Sequence, residues 1–166
     1  MKAFFASILF LSLTFSWTYT SGQVNDENIR KKVLRKAIID KEFIFGKWTE
    51  KGGTETHLKY LGVFTTKGGQ TFKIMNSIWL WGLSSRATSR ILVFNKSNEY
   101  VGNYYLTMTY DLPAKMENGK LIFKSLEGDC DRNLTTVIDL KKGLPKQFFK
   151  KCTEKGGDFY SFSSEY

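Results

Sequence analysis

The stretch Thr56–Leu106, THLKYLGVFTTKGGQTFKIMNSIWLWGLSSRATSRILVFNKSNEYVGNYYL, decides the fold. Apolar and aromatic side chains recur at alternate positions through much of it, and β-branched residues are dense, which is the pattern of strands with one face buried. TKGGQ and NKSNE interrupt the pattern with glycine, asparagine and serine, residues that suit the backbone of tight turns. The spacing predicts strands over Thr56–Thr66, Gln70–Trp81, Thr88–Asn95 and Tyr100–Tyr110, joined by loops of hairpin length.

The same texture continues on both sides. Glu42–Thr49 precedes it, and Lys120–Leu126, Leu134–Leu140, Lys146–Cys152 and Phe159–Phe162 follow. EKGGT, MENGK and EKGGD supply further turns, while Pro113 and Pro145 fall outside strand centres. The expected class is therefore mainly β: an antiparallel meander of eight or nine strands. An open meander of this length leaves two unpaired edges, so the expected architecture is a barrel or a strongly rolled sheet.

Ahead of the strands, Asn25–Asp40 (NDENIRKKVLRKAIID) reads as one amphipathic helix. Ile29, Val33, Leu34, Ala37 and Ile38 form the apolar stripe, with Arg30, Lys31, Lys32, Arg35 and Lys36 around the other side. Asn25 or Asp26 serves as the N-cap, and Glu27 suits the positive end of the helix dipole. The stripe is expected to pack on the rest of the domain with the cations solvated, and the cations would also suit an anionic membrane surface.

Met1–Gly22 has the form of a secretory signal peptide. Lys2 is followed by an apolar run, Ala3–Phe15, and Thr20 and Gly22 occupy the small positions before a cleavage point at Gln23. No cysteine stands there for lipid attachment. The organisation is thus 1–22 signal peptide, 23–41 helix and 42–166 β domain, with a secreted or periplasmic destination. Cys130 and Cys152 are the only cysteines, and an even count in an exported chain favours a disulfide between them. The strands ending at Leu140 and Cys152 are read as a hairpin, which brings both cysteines to one end of the fold.

A net charge of +9 attracts anionic partners but leaves their class open. Export and the absence of a reading motif exclude nucleic acid. His57 is the one histidine, and no nucleophile elbow, paired metal-ligand spacing or phosphate-binding loop accompanies it. The expectation is a non-enzyme with no catalytic residue, no metal and no cofactor.

Gly46-Lys47-Trp48, at the start of the strand region and just after a helix, resembles the Gly-x-Trp signature of the lipocalins. That resemblance implies a meander barrel carrying a small apolar ligand. RATSRILVF and TEKGGDFYSF resemble segments of uncharacterised exported bacterial proteins, a resemblance that implies no activity.

Trp79 and Trp81 lie two apart and share one face of their strand, with Arg86 and Arg90 following the Gly82 turn. Simple alternation of strand direction puts the loops at 51–54, 82–87, 111–119 and 141–145 at one end, a basic rim beside the two indoles. The candidate ligand contacts are Trp79, Trp81, Arg86, Arg90, Tyr104 and Lys115. Aromatic faces beside cations suit an amphipathic or acidic ligand, a lipid or a glycan.

Overall fold

The computed structural model describes residues 27–125 and 130–164. In these residues one helix, α1 (Glu27–Lys36), precedes ten strands: β1 (Glu42–Gly46), β2 (Glu55–Thr65), β3 (Thr71–Trp81), β4 (Arg86–Asn95), β5 (Tyr100–Leu106), β6 (Lys115–Glu117), β7 (Lys120–Lys124), β8 (Thr135–Asp139), β9 (Gln147–Lys151) and β10 (Gly157–Ser163). A 3₁₀ turn, Thr109–Asp111, follows β5, where the sequence had suggested a strand continuing to Tyr110. Asn118 and Gly119 both have positive φ, and this two-residue turn joins β6 to β7.

Seven strands form one antiparallel sheet in the order β1-β2-β3-β4-β5-β10-β9, and β6-β7-β8 form a second. The meander therefore holds only as far as β5. β10 lies beside β5, with Phe162 opposite Tyr104 and Ser163 opposite Asn103. Gly102 makes room for this approach, because a Cβ there would come within 2.4 Å of both Phe162 Cζ and the Ser163 carbonyl oxygen.

The two sheets face each other across a filled interior that includes Ile74, Ile91, Tyr104, Phe123, Phe148 and Tyr160. Phe148 is its hub, with ring centroids 5.0 Å from Tyr104, 5.4 Å from Phe123 and 5.5 Å from Tyr160. Among the described residues no ladder joins one sheet to the other, so the expected antiparallel β architecture is present as two facing sheets, with no closed barrel found among these residues. Side chains stitch the seams. The Lys59 ammonium donates to the Ala114 carbonyl at 3.0 Å, and the Lys151 N–H donates to Thr136 Oγ1 at 3.1 Å.

The Cys130–Cys152 disulfide forms as expected, with Cα atoms 4.4 Å apart. The strand pairing behind the expectation is different: β8 pairs with β7, and β9 with β10. β8 and β9 approach across a seam instead, where the Asp131 N–H reaches the Cys152 carbonyl at 2.7 Å.

On the outer face of the large sheet α1 lays Val33 and Leu34 over Leu58, Tyr60, Met75 and Leu92. The helix stops at Lys36, since Ala37 takes a left-handed φ of 48°, and Ala37 and Ile38 are exposed rather than part of the stripe. Arg30, expected among the solvated cations, is buried at 6% exposure. Val33 and Leu34 stand three and four residues beyond it, so helical geometry places Arg30 on their face. Lys31 pairs with Glu27.

Candidate functional site

Strand parity builds the site. Odd-numbered positions of β3 follow Met75 onto the outer face, so Ser77, Trp79 and Trp81 all point there. Across the β3–β4 ladder Arg90 stands opposite Ser77, Thr88 opposite Trp79 and Arg86 opposite Trp81, which brings both arginines to the same side. Tyr105 stands opposite Arg90 on β5 and is 55% exposed.

The indoles stack with centroids 5.4 Å apart and planes 19° from parallel. The Arg86 guanidinium lies 5.4 Å from the Trp81 ring, and that ring is fixed by its Nε1–H donating to Thr88 Oγ1 at 3.1 Å. Arg90 repeats the arrangement at 6.0 Å from the Tyr105 ring. Each such contact contributes about 0.5–1 kcal/mol at a surface, too little to hold a fold but enough to bias a side chain toward one orientation. Among the described residues no carboxylate lies within ion-pair distance of Arg86. The outer face is thus a half-buried aromatic platform carrying a guanidinium that, among the described residues, no carboxylate pairs.

Compared with known proteins, the chain matches no family, no curated protein and no solved structure. What the platform does must be read from its own chemistry.

Four of the six expected contacts, Trp79, Trp81, Arg86 and Arg90, come together here. Tyr104 does not. Its partner across the sheet, Ile91, belongs to the interior, and Tyr104 is 1% exposed, with its hydroxyl donating to the Pro145 carbonyl at 2.7 Å. Burial pushes its phenol pKa up. Its neighbour Tyr105 occupies the outer-face position instead. Lys115 lies on the second sheet, across the inner face, and pairs with Glu117 at 2.5 Å.

The expected basic rim also dissolves. The Lys67 N–H donates to the Lys141 carbonyl at 2.7 Å, so the 141–145 loop sits at the end opposite Trp81. Because β10 runs antiparallel to β5, the 152–157 loop and the disulfide come instead to the tryptophan end. Outer-face aromatics missed by sequence continue across the sheet. Phe149 and Phe159 pair between β9 and β10 at 4.8 Å, alternating with the buried Phe148 and Tyr160, and Phe159 is 65% exposed.

Trp48 fixes the turn beneath the platform, its Nε1–H donating to the Gly82 carbonyl at 2.7 Å. Its backbone N–H reaches Glu55 Oε2 at 3.3 Å, and Glu55 meets His57 Nε2 at 2.6 Å. The His57 hydrogen bond, then the Trp48 N–H, hold the Glu55 carboxyl below its ordinary pKa. His57 Nδ1 lies 3.4 Å from Glu42, so the one histidine ties β1 to β2.

One polar cluster was not foreseen. Lys150, 3% exposed, donates to Asp111 Oδ1 at 2.8 Å, and the Tyr160 hydroxyl donates to Asp111 Oδ2 at 3.0 Å. Burial first, and then the Asp111 carboxylate, push the Tyr160 pKa up. The cluster ties the 3₁₀ turn to β9 and β10. Among the described residues no group of His, Cys, Asp and Glu is placed to hold a metal, and no helix is long and apolar enough to cross a membrane.

Proposed function

We propose that this chain is an exported binding module that takes an anionic amphipathic ligand, above all an acidic glycan, on the outer face of its large sheet. The observation that carries the reading is the stack Arg86–Trp81–Trp79, half-exposed and flanked by Arg90 and Tyr105. An indole face takes the C–H face of a sugar ring, and a guanidinium offers paired N–H donors to a carboxylate or sulfate. The lipocalin resemblance implied a ligand within the fold. The aromatic packing around Phe148 favours the exterior platform instead. The disulfide, a bond of oxidising compartments, supports export together with the leader-like N-terminal sequence.

A lipid headgroup presents the same chemistry, and Lys32, Arg35 and Lys36 on the exposed side of α1 would add attraction to an anionic vesicle. Titration of intrinsic fluorescence with a sulfated oligosaccharide, its unsulfated parent, and vesicles with and without acidic lipid separates the sources. The glycan reading expects saturable binding of the sulfated sugar, weakened about tenfold by Arg86→Gln. Binding to acidic vesicles alone would move the proposal to membranes, and indifference to all four probes would end it.

A further inference from the structure

β2 is 11 residues long, but β1 covers only part of it. Their ladder runs from Gly46–Glu55 to Glu42–Lys59, and the Asp40 N–H closes it on the Tyr60 carbonyl at 2.9 Å. Residues 61–65 have β3 on one side and, among the described residues, no paired strand on the other. A groove of about 460 Å³ follows this edge, flanked by Ile39 and Met116 and ending at Asn118, Gly119 and Lys141. Ile39 is 59% and Val63 54% exposed. At the bulge, Gly62 has φ +132°, and a Cβ there would stand 3.1 Å from Met116 Cε, so the glycine leaves the groove its width.

Edge strands are ordinarily blunted by charge, proline or cover. Leu61-Gly62-Val63-Phe64-Thr65 carries neither charge nor proline. Charge is concentrated past its end. Lys67, Lys141 and Lys142 lie in the loops there and Lys120 opens β7 beside them, and among the described residues none of the four has a carboxylate within ion-pair distance. The hydrogen bond from Lys67 to Lys141 holds two of these loops together. Nearby Glu117 is taken by Lys115, and Asp139 accepts the Lys141 N–H at 2.8 Å.

We propose that this edge receives an extended acidic peptide as an added strand, in line with β1 and antiparallel to residues 61–65. In that direction the N-terminal residues of the peptide lie at the lysine end and carry its carboxylates. Its alternate apolar side chains then pack between Ile39 and Met116 while the others face water. The net charge of +9 disfavours a second copy of this chain as the occupant.

The test uses the intact protein and two fluorescent peptides, Glu-Glu-Val-Thr-Val-Thr-Val and the same sequence with both glutamates replaced by lysine. Fluorescence anisotropy should show saturable binding of the first, with the second about tenfold weaker or worse. Lys67→Glu with Lys141→Glu should reverse the preference. Val63→Asp, at an exposed position that leaves the core intact, should weaken both peptides. Arg86→Gln should leave peptide binding unchanged, which separates this edge from the aromatic platform. Equal binding of the two peptides, or none, overturns the proposal, as does concentration-dependent dimerisation abolished by Val63→Asp, which would assign the edge to a second copy.

Discussion

Replacing Lys150 with methionine leaves a methylene chain of similar length but strips Asp111 of its cation. Both groups are nearly sealed from water, Lys150 at 3% and Asp111 at 5% exposure, so solvent cannot take over the lost interaction. Asp111 would keep only the Tyr160 hydroxyl at 3.0 Å and the Met108 N–H at 3.2 Å. Breaking a buried pair by removing one partner costs about 3–5 kcal/mol. With a urea m-value of about 2 kcal/mol/M for a domain of this size, the unfolding midpoint should fall by about 1.5–2.5 M. Urea titration followed by circular dichroism reads this directly. The double variant Lys150→Met with Asp111→Leu should recover much of the loss, because it no longer buries an unpaired charge. A single-variant loss below about 1 kcal/mol would refute the reasoning, since only a solvated pair is worth so little.

Other consequences can be measured alongside. Intact mass before and after reduction should differ by two hydrogens, and breaking the Cys130–Cys152 bridge, with a sequence separation of 22, should lower stability by about 3 kcal/mol. Gly102→Ala should cost about 2 kcal/mol or more by calorimetry, because its Cβ collides with Phe162 and the Ser163 carbonyl where β10 docks; a neutral outcome would contradict that register. Glu55 has a folded pKa below its ordinary value, so its contribution to stability is present above the unfolded pKa and is lost as pH falls through the folded one. His57→Ala should shrink the loss of stability seen as pH falls below the ordinary glutamate range, as read by urea midpoints at successive acidic pH values.

Local features of the fold were legible because they follow from period and turn chemistry. Alternation placed most of the strands, and the asparagine and glycine of MENGK marked the β6–β7 turn, although Lys115–Glu117 is too short to announce itself as a strand. Parity put Trp79 and Trp81 on one face, but it could not say which tyrosine of Tyr104-Tyr105 joined them. That depends on the β4–β5 register, which shifts between Val93 and Phe94.

The return of β10 to β5 is the long-range choice that the local pattern left open, and from it follows which loops share an end. Gly102, a glycine inside a strand of large residues, was its one local signal, marking a place where another chain segment comes close. Lys150 gave a similar sign. It alternates in register with Phe148, so it had to face the interior and find an anion there.

The central claim is that ligand is taken on the outer face, and the indole N–H resonances of Trp48, Trp79 and Trp81 report on it most directly. Adding a sulfated oligosaccharide to isotope-labelled protein should shift the Trp79 and Trp81 signals and leave the methyl groups of the buried Ile91 and Leu106 unmoved. Shifts confined to those interior methyls, with Trp79 and Trp81 unchanged, would place the ligand between the sheets and contradict the account.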